Sequence, residues 1–234
     1  MRNIAFILVL FISVNAWAQD VHFSQFKASS FLLNPALVGA QNNDYKATLQ
    51  RKSQWASVSV PFNTLSFSLE RKDILPSHNI GVQFLNDIAG DSRFKTTGIN
   101  LGYAKKVSVT ADNLFSFGAG LGIFQRSILF DDLVFNDPEN LSNLNFIFPD
   151  VAIGIANFYT LNKQAILESG IAFYHINKPK QSLTDNDAIR LQQKMNIHTA
   201  LTYAYTDNLS IQPKLVFSNQ DTDNEFLLGC DVNY

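Results

Sequence analysis

From residue 44 onward the chain alternates apolar and polar side chains, and its two faces differ in size as well as in polarity. Phe115, Phe117, Ala119, Leu121 and Ile123 share one face, with Ser116, Gly118, Gly120 and Gly122 opposite. Ile197, Leu201, Tyr203 and Tyr205 stand against Asn196, His198, Ala200 and Thr202. Phe226, Leu228, Cys230, Val232 and Tyr234 stand against Leu227, Gly229, Asp231 and Asn233. Period two over such windows is the pattern of strands, not helices. Similar runs near 44–55, 56–61, 64–71, 79–88, 96–109, 150–160, 165–177 and 209–218 predict about ten or eleven strands in all. The count turns on Pro61-Phe62-Asn63, where the apolar phase moves from even to odd positions and a turn or a bulge fits equally well.

Alternation suits a soluble sandwich as well as a membrane barrel; residue size on the two faces separates them. A soluble sheet hides its bulky apolar side chains and shows Lys and Glu to water. Here the polar face is mostly Gly, Ala, Ser, Thr and Asn, which suit the inside of a narrow barrel, while Phe, Leu, Ile and Tyr suit lipid. Charged residues make up 16% of the chain, against roughly 25% in ordinary soluble domains. The apolar faces named above carry no charge, as expected where a midplane Arg or Lys costs about 2–4 kcal/mol. Many runs have the roughly 9–11 residues of a tilted membrane strand, and lipid tolerates no open sheet edge, so closure is demanded. The fold class expected is all-β: a transmembrane antiparallel up-and-down β-barrel of the outer membrane, with a soluble lipocalin-like barrel as the alternative. Lys214 and Asp231 fall on the small-residue face and are expected to pair in the lumen. Tyr234, ending an alternating strand with Gly229 before it, resembles the carboxy-terminal assembly signal of bacterial outer-membrane barrels.

Ahead of the barrel pattern, Arg2, the apolar run Ile4 to Val14 and Ala16-Trp17-Ala18 read as a secretory signal peptide over 1–18, with Gln19 as the first mature residue. Residues 19–43 form a separate segment without a strand pattern, and 44–234 the barrel. The net charge of −2 gives no nucleic-acid footprint. The single cysteine, Cys230, excludes an intramolecular disulfide framework and reads as a small apolar strand residue. Two long connections are expected, Phe130 to Asp150 and Asn177 to Lys194. Asp131, Asp132, Asp137, Glu139 and Asp150 in the first lack EF-hand spacing and are expected to be solvated loop acids.

His22, His78, His175 and His198 form no HExxH or other metal spacing, and no P-loop, nucleophile elbow or dinucleotide fingerprint occurs. No cofactor, metal site or catalytic set is expected. An outer-membrane hydrolase using His198 or His175 is the weakest functional reading, and both side chains are expected to face the lumen or an interface.

The segment "QDVHFSQFKASSFLLNPALVGA" carries the most specific pattern. Gln19, Asp20, His22, Phe23, Ser24, Gln25 and Phe26, then Asn34, Pro35, Ala36 and Gly39, closely resemble the mature N-terminus of the PorP/SprF family of type IX secretion system membrane proteins. Arg51, Gln54 and Trp55 resemble the family's Arg…Gln-Trp strand pair, and "PDVAIGIANFY" and "YHINKPKQSL", with His175, Asn177, Pro179 and Ser182, extend the likeness over nearly all the mature chain. The resemblance implies a non-enzymatic outer-membrane barrel of Bacteroidota-type bacteria that supports secretion or surface attachment of exported proteins such as gliding adhesins. It implies as partners outer-membrane lipid, components of the secretion machinery including a peptidoglycan-binding periplasmic lipoprotein, and the exported cargo. Family members generally run longer, with further strands closing the barrel, so a shortened or incomplete member is expected here, a smaller complete barrel being the alternative. The segment itself would plug the lumen or lie at the periplasmic mouth, anchored by Phe23, Phe26, Phe31 and Leu32 and turned into the first strand by Asn34-Pro35, or else act as a packed lead-in. A passive porin for small solutes is the alternative function.

Overall fold

The computed structural model describes residues 20–57, 60–90, 94–128, 144–181 and 189–234. The expected signal peptide, Gln19, Asp131, Asp132, Asp137, Glu139 and Ser182 lie outside the described residues. Ten strands follow one another: β1 Tyr45–Gln54, β2 Phe62–Leu75, β3 His78–Ala89, β4 Phe94–Thr110, β5 Asn113–Ile128, β6 Leu144–Asn162, β7 Ala165–Tyr174, β8 Lys194–Ala204, β9 Ser210–Gln220 and β10 Asp223–Asn233. Each pairs antiparallel with its neighbour in chain order, and the sheet curls into a half-barrel. Among the described residues β1 and β10 are not paired with each other.

The even-to-odd phase change is a turn. Of the alternating run 56–61, Ala56, Ser57, Val60 and Pro61 belong to no strand, as Trp55 takes a left-handed φ of 63° and Pro61 has no N–H to give a ladder. The first long connection is shorter than expected: β6 begins at Leu144, so Asn145 to Asp150 are strand. Asp150 is accordingly not a solvated loop acid. It is 8% exposed and points inward.

The bulky face is the outer one. Leu121, Ile123, Phe226 and Leu228 are 60–80% exposed, in a contiguous apolar wall far larger than water tolerates on a monomer. At the end carrying the β2–β3, β4–β5, β6–β7 and β8–β9 turns, Tyr45, Tyr103, Tyr159, Tyr203, Tyr205 and Tyr234 all stand exposed. Such a belt of amphipathic rings marks a membrane–water interface. His78 Nδ1 lies 2.6 Å from the Tyr103 hydroxyl, and the Arg71 guanidinium lies 5.4 Å from the Tyr45 ring centre. The longer connections and Trp55 lie at the opposite end, with the β9–β10 turn.

The inward face is polar and nonetheless closed to solvent. Ser66, Ser68, Glu70, Asn79, Gln83, Ser116, Asn196 and His198 are all at most 3% exposed. Residues 20–44 cover them. Lys214 Nζ reaches Asp231 Oδ1 at 2.6 Å on this face, the pair expected from the alternation.

Candidate functional site

The covering segment has no strand. It consists of a 3-10 turn Phe26–Ala28, a single α-helical turn α1 Ser30–Leu33, and a second 3-10 turn Pro35–Leu37. Asn34 sits at the start of the last turn in extended backbone, and its Oδ1 accepts from Ala36 N at 2.9 Å. Pro35 occupies the first position of that turn, where a missing N–H costs nothing. The other end of the Asn34 side chain serves the sheet: Nδ2 donates to Ile155 O at 3.0 Å and to Ile171 O at 3.3 Å, and lies 3.0 Å from His198 Nε2. One buried amide therefore ties β6, β7 and β8 to the segment. A carbonyl and an NH2 on one short stem are what those partners need.

The sheet makes room for it with glycine. A Cβ on Gly118 would lie 2.2 Å from Ala36 N, one on Gly154 2.0 Å from Asn34 Oδ1, and one on Gly170 2.5 Å from His198 Nε2. The small residues of the inward face are thus the seat of the Asn34-Pro35-Ala36 backbone. Ser116 Oγ adds a bond to Ala36 O at 2.7 Å.

Gly39 closes the seated part at the tyrosine end. Its φ of 68° favours glycine, and a Cβ there would strike Asn79 at 2.4 Å. Gly39 N donates to Glu70 Oε2 at 2.9 Å, and Lys106 Nζ donates to Gly39 O at 3.2 Å. Lys46 Nζ sits 3.2 Å from Glu70 Oε1, so the buried carboxylate is paired.

Toward the long-loop end the contacts become ionic. Phe23 and Phe26 are buried, with Lys214 Nζ 5.1 Å from the Phe26 ring centre. His22 joins the two free edges of the sheet: Lys52 Nζ of β1 donates to its carbonyl at 3.1 Å, and its Nε2 lies 3.3 Å from Glu225 Oε1 of β10. Ser24 and Gln25 are exposed, and Gln25 O accepts from Gln50 Nε2 at 3.0 Å. Last comes Asp20, whose Oδ2 lies 2.5 Å from His175 Nε2, while His175 Nδ1 lies 2.8 Å from Asp150 Oδ1.

Burial by itself would depress the His175 imidazolium, but the Asp20 charge and the bonds to Asp150 and Asp20 outweigh it and raise its pKa to about 9. Burial likewise opposes ionisation of Asp20, yet the facing His175 charge and hydrogen bond, helped by Lys194 and Gln220, hold its carboxyl well below the ordinary range. The His175 contribution to stability is full below its ordinary value of 6.5 and is lost as pH rises through about 9. The Asp20 contribution is present above its ordinary 3.8 and fades as pH falls below it. The Asp20–His175 pair is therefore strongest between those two ordinary values. We expect His175 to titrate near 9 in histidine-labelled NMR spectra, and Asp20→Asn to bring it down toward the ordinary value. An unshifted titration in both proteins would contradict the pairing.

Of the sequence-singled residues, the structure gathers His22, Phe23, Ser24, Gln25, Phe26, Asn34, Pro35 and Gly39 along one path. Asn177 works elsewhere, bonding Pro149 O at 2.8 Å and accepting from Val151 N at 3.2 Å, which fastens the β7–β8 connection to β6. Pro179 O accepts from Leu191 N at 2.9 Å within that connection. Arg51 and Trp55 are not brought to the site; both are exposed, on and just after β1. Sequence reasoning did not foresee Glu70 and Asp150 as partners, nor the Asp20–His175 pair. For Glu70 and Asp150 the inward strand position was the available signal, since a charge placed there needs a partner. Both His175 nitrogens are engaged by carboxylates, and the His198 nitrogens face Asn34 and, at 3.6 Å, Glu168.

An antiparallel up-and-down sheet with a greasy, tyrosine-belted exterior and a polar interior that receives its own N-terminal segment defines a membrane protein built of strands. Comparison with known proteins agrees: the family of type IX secretion system membrane proteins, PorP/SprF, matches residues 15–234, and the chain belongs to it. Among curated proteins nothing matches the sequence.

Proposed function

We propose that the chain is an accessory or anchoring barrel of the outer membrane, exported by its N-terminal leader, which supports secretion or surface attachment of exported proteins through protein contacts rather than by conducting solutes. The observation that carries this reading is the seat of residues 34–39 on the glycines of β5, β6 and β7. A lumen occupied by buried chain acts as a plug. The family makes secretion machinery the partner class. A periplasmic peptidoglycan-binding lipoprotein of that machinery and an exported adhesin are the specific partners we propose. Neither the motif residues nor any other group is assigned a catalytic role.

Deleting the gene is expected to abolish surface display of the cargo while its synthesis continues, and crosslinking in intact outer membranes to capture a machinery component. Purified protein in planar bilayers is expected to show no steady large channel. Unchanged secretion in the deletion strain, or porin-sized conductance, would overturn the proposal.

A further inference from the structure

The covering segment is held by two different kinds of force. Residues 34–38 are at most 5% exposed and lie backbone-to-glycine against the sheet. Residues 20–30 also bury Phe23 and Phe26, the latter against Leu33, Ala36 and Leu37, but their ties to the sheet run through long side chains: Asp20 to His175, His22 to Glu225, Lys27 Nζ to Glu168 Oε2 at 3.0 Å, and Lys46 Nζ to Ser30 Oγ at 3.1 Å. A narrow cavity of about 20 Å³ remains beneath this part, lined by His22, Phe23, Phe26, Leu33, Lys194 and Val216 among others. Backbone seated directly on glycine resists displacement, whereas ion pairs give way to charge changes.

We propose that residues 20–30 are a releasable arm, moving about Ser29–Leu33 on a fixed anchor at 34–39, and that the Asp20–His175–Asp150 contact is the latch that holds the arm at the long-loop end. This deepens the plug reading and rests on it. Release widens the mouth and uncovers the inward residues of β7 to β10, while the anchor keeps the lumen occluded. Among the described residues, the titratable groups facing the latch are Tyr174, Lys194 and Arg126, with Lys52 and Glu225 beside His22. Arg126 also senses Asp87.

The test uses the full chain in liposomes with Cys230→Ser, and a spin label at Ser24→Cys or, separately, at Ala40→Cys next to the anchor. At pH ~6 the label at 40 is expected to be immobile and the label at 24 to show the restrained motion of an exposed site on ordered backbone; at pH ~10, or with His175→Ala at pH ~6, the label at 24 is expected to move about tenfold faster while the label at 40 stays unchanged. A label at 24 that keeps its pH ~6 mobility under both treatments overturns the arm, and so does loosening of both labels together. The pH change needs no variant that could fail to fold. Bilayer conductance of the same samples reads occlusion separately, so a conducting wild type would remove the plug reading without deciding the mobility result.

Discussion

Asn34→Asp is expected to destabilise the folded protein more than Asn34→Ala, although aspartate differs so little in shape. Alanine leaves Ala36 N without its acceptor and the carbonyls of Ile155 and Ile171 without their donor, a loss of about 1–3 kcal/mol. Aspartate keeps the bond to Ala36 N but places a carboxylate oxygen where Nδ2 now lies, 3.0 Å and 3.3 Å from two carbonyl oxygens. It also buries a charge at a site with 0% exposure. Neutral His198 can turn one Nε2–H bond toward it, but the two carbonyls still face a negative group. We expect a loss of about 3–5 kcal/mol, the cost of an uncompensated buried charge. Urea midpoints of the refolded protein in detergent, read from its heat-modifiable migration, measure both variants. An aspartate variant at least as stable as the alanine one would show that the amide does not bridge the sheet as described.

A contrast between neighbouring glycines gives the second large effect. Gly118 and Gly120 look alike in sequence, two residues apart on the same face. Yet a methyl group at 118 would meet Ala36 N at 2.2 Å, whereas at 120 its first neighbour is Ala152 Cβ at 3.5 Å, an ordinary contact. The obstacle at 118 is backbone, which cannot rotate away. Gly118→Ala should therefore cost about 3 kcal/mol by overpacking, or expel the segment from its seat. Gly120→Ala should be neutral or stabilise by about 0.5–1 kcal/mol, since alanine loses less chain entropy in a strand. The same urea measurement decides between them, and equal effects at the two positions would mean that the segment does not rest on Gly118.

These two cases mark how far the sequence could be read. That Gly118 and Gly120 face inward follows from period two, and so does the meeting of Lys214 with Asp231. Alternation is a local property: successive side chains of any strand point to opposite sides, and lipid punishes the wrong side heavily. Which inward glycine is indispensable is another matter, because it depends on where a segment some eighty residues earlier lies. The same limit explains the two misread stretches. The alternation runs on past Gln54, where β1 ends, since the pattern records side-chain polarity and not the left-handed φ at Trp55. Asp150 was read with its acidic loop neighbours, although its position on β6 turns it inward to His175.

The sequence alone determined the strand class of this protein, the side of each strand that meets lipid, the small inward face and the family motif from Asp20 to Gly39. Each of these is written within a few residues of itself. Only the tertiary structure decided that Asn34 joins three strands, that His22 spans the two free edges, and that Asp20 and Asp150 share His175. These partners are separated by 25 to 203 residues in the chain, and chemistry at such distance is set by how the sheet curls, which no local pattern encodes.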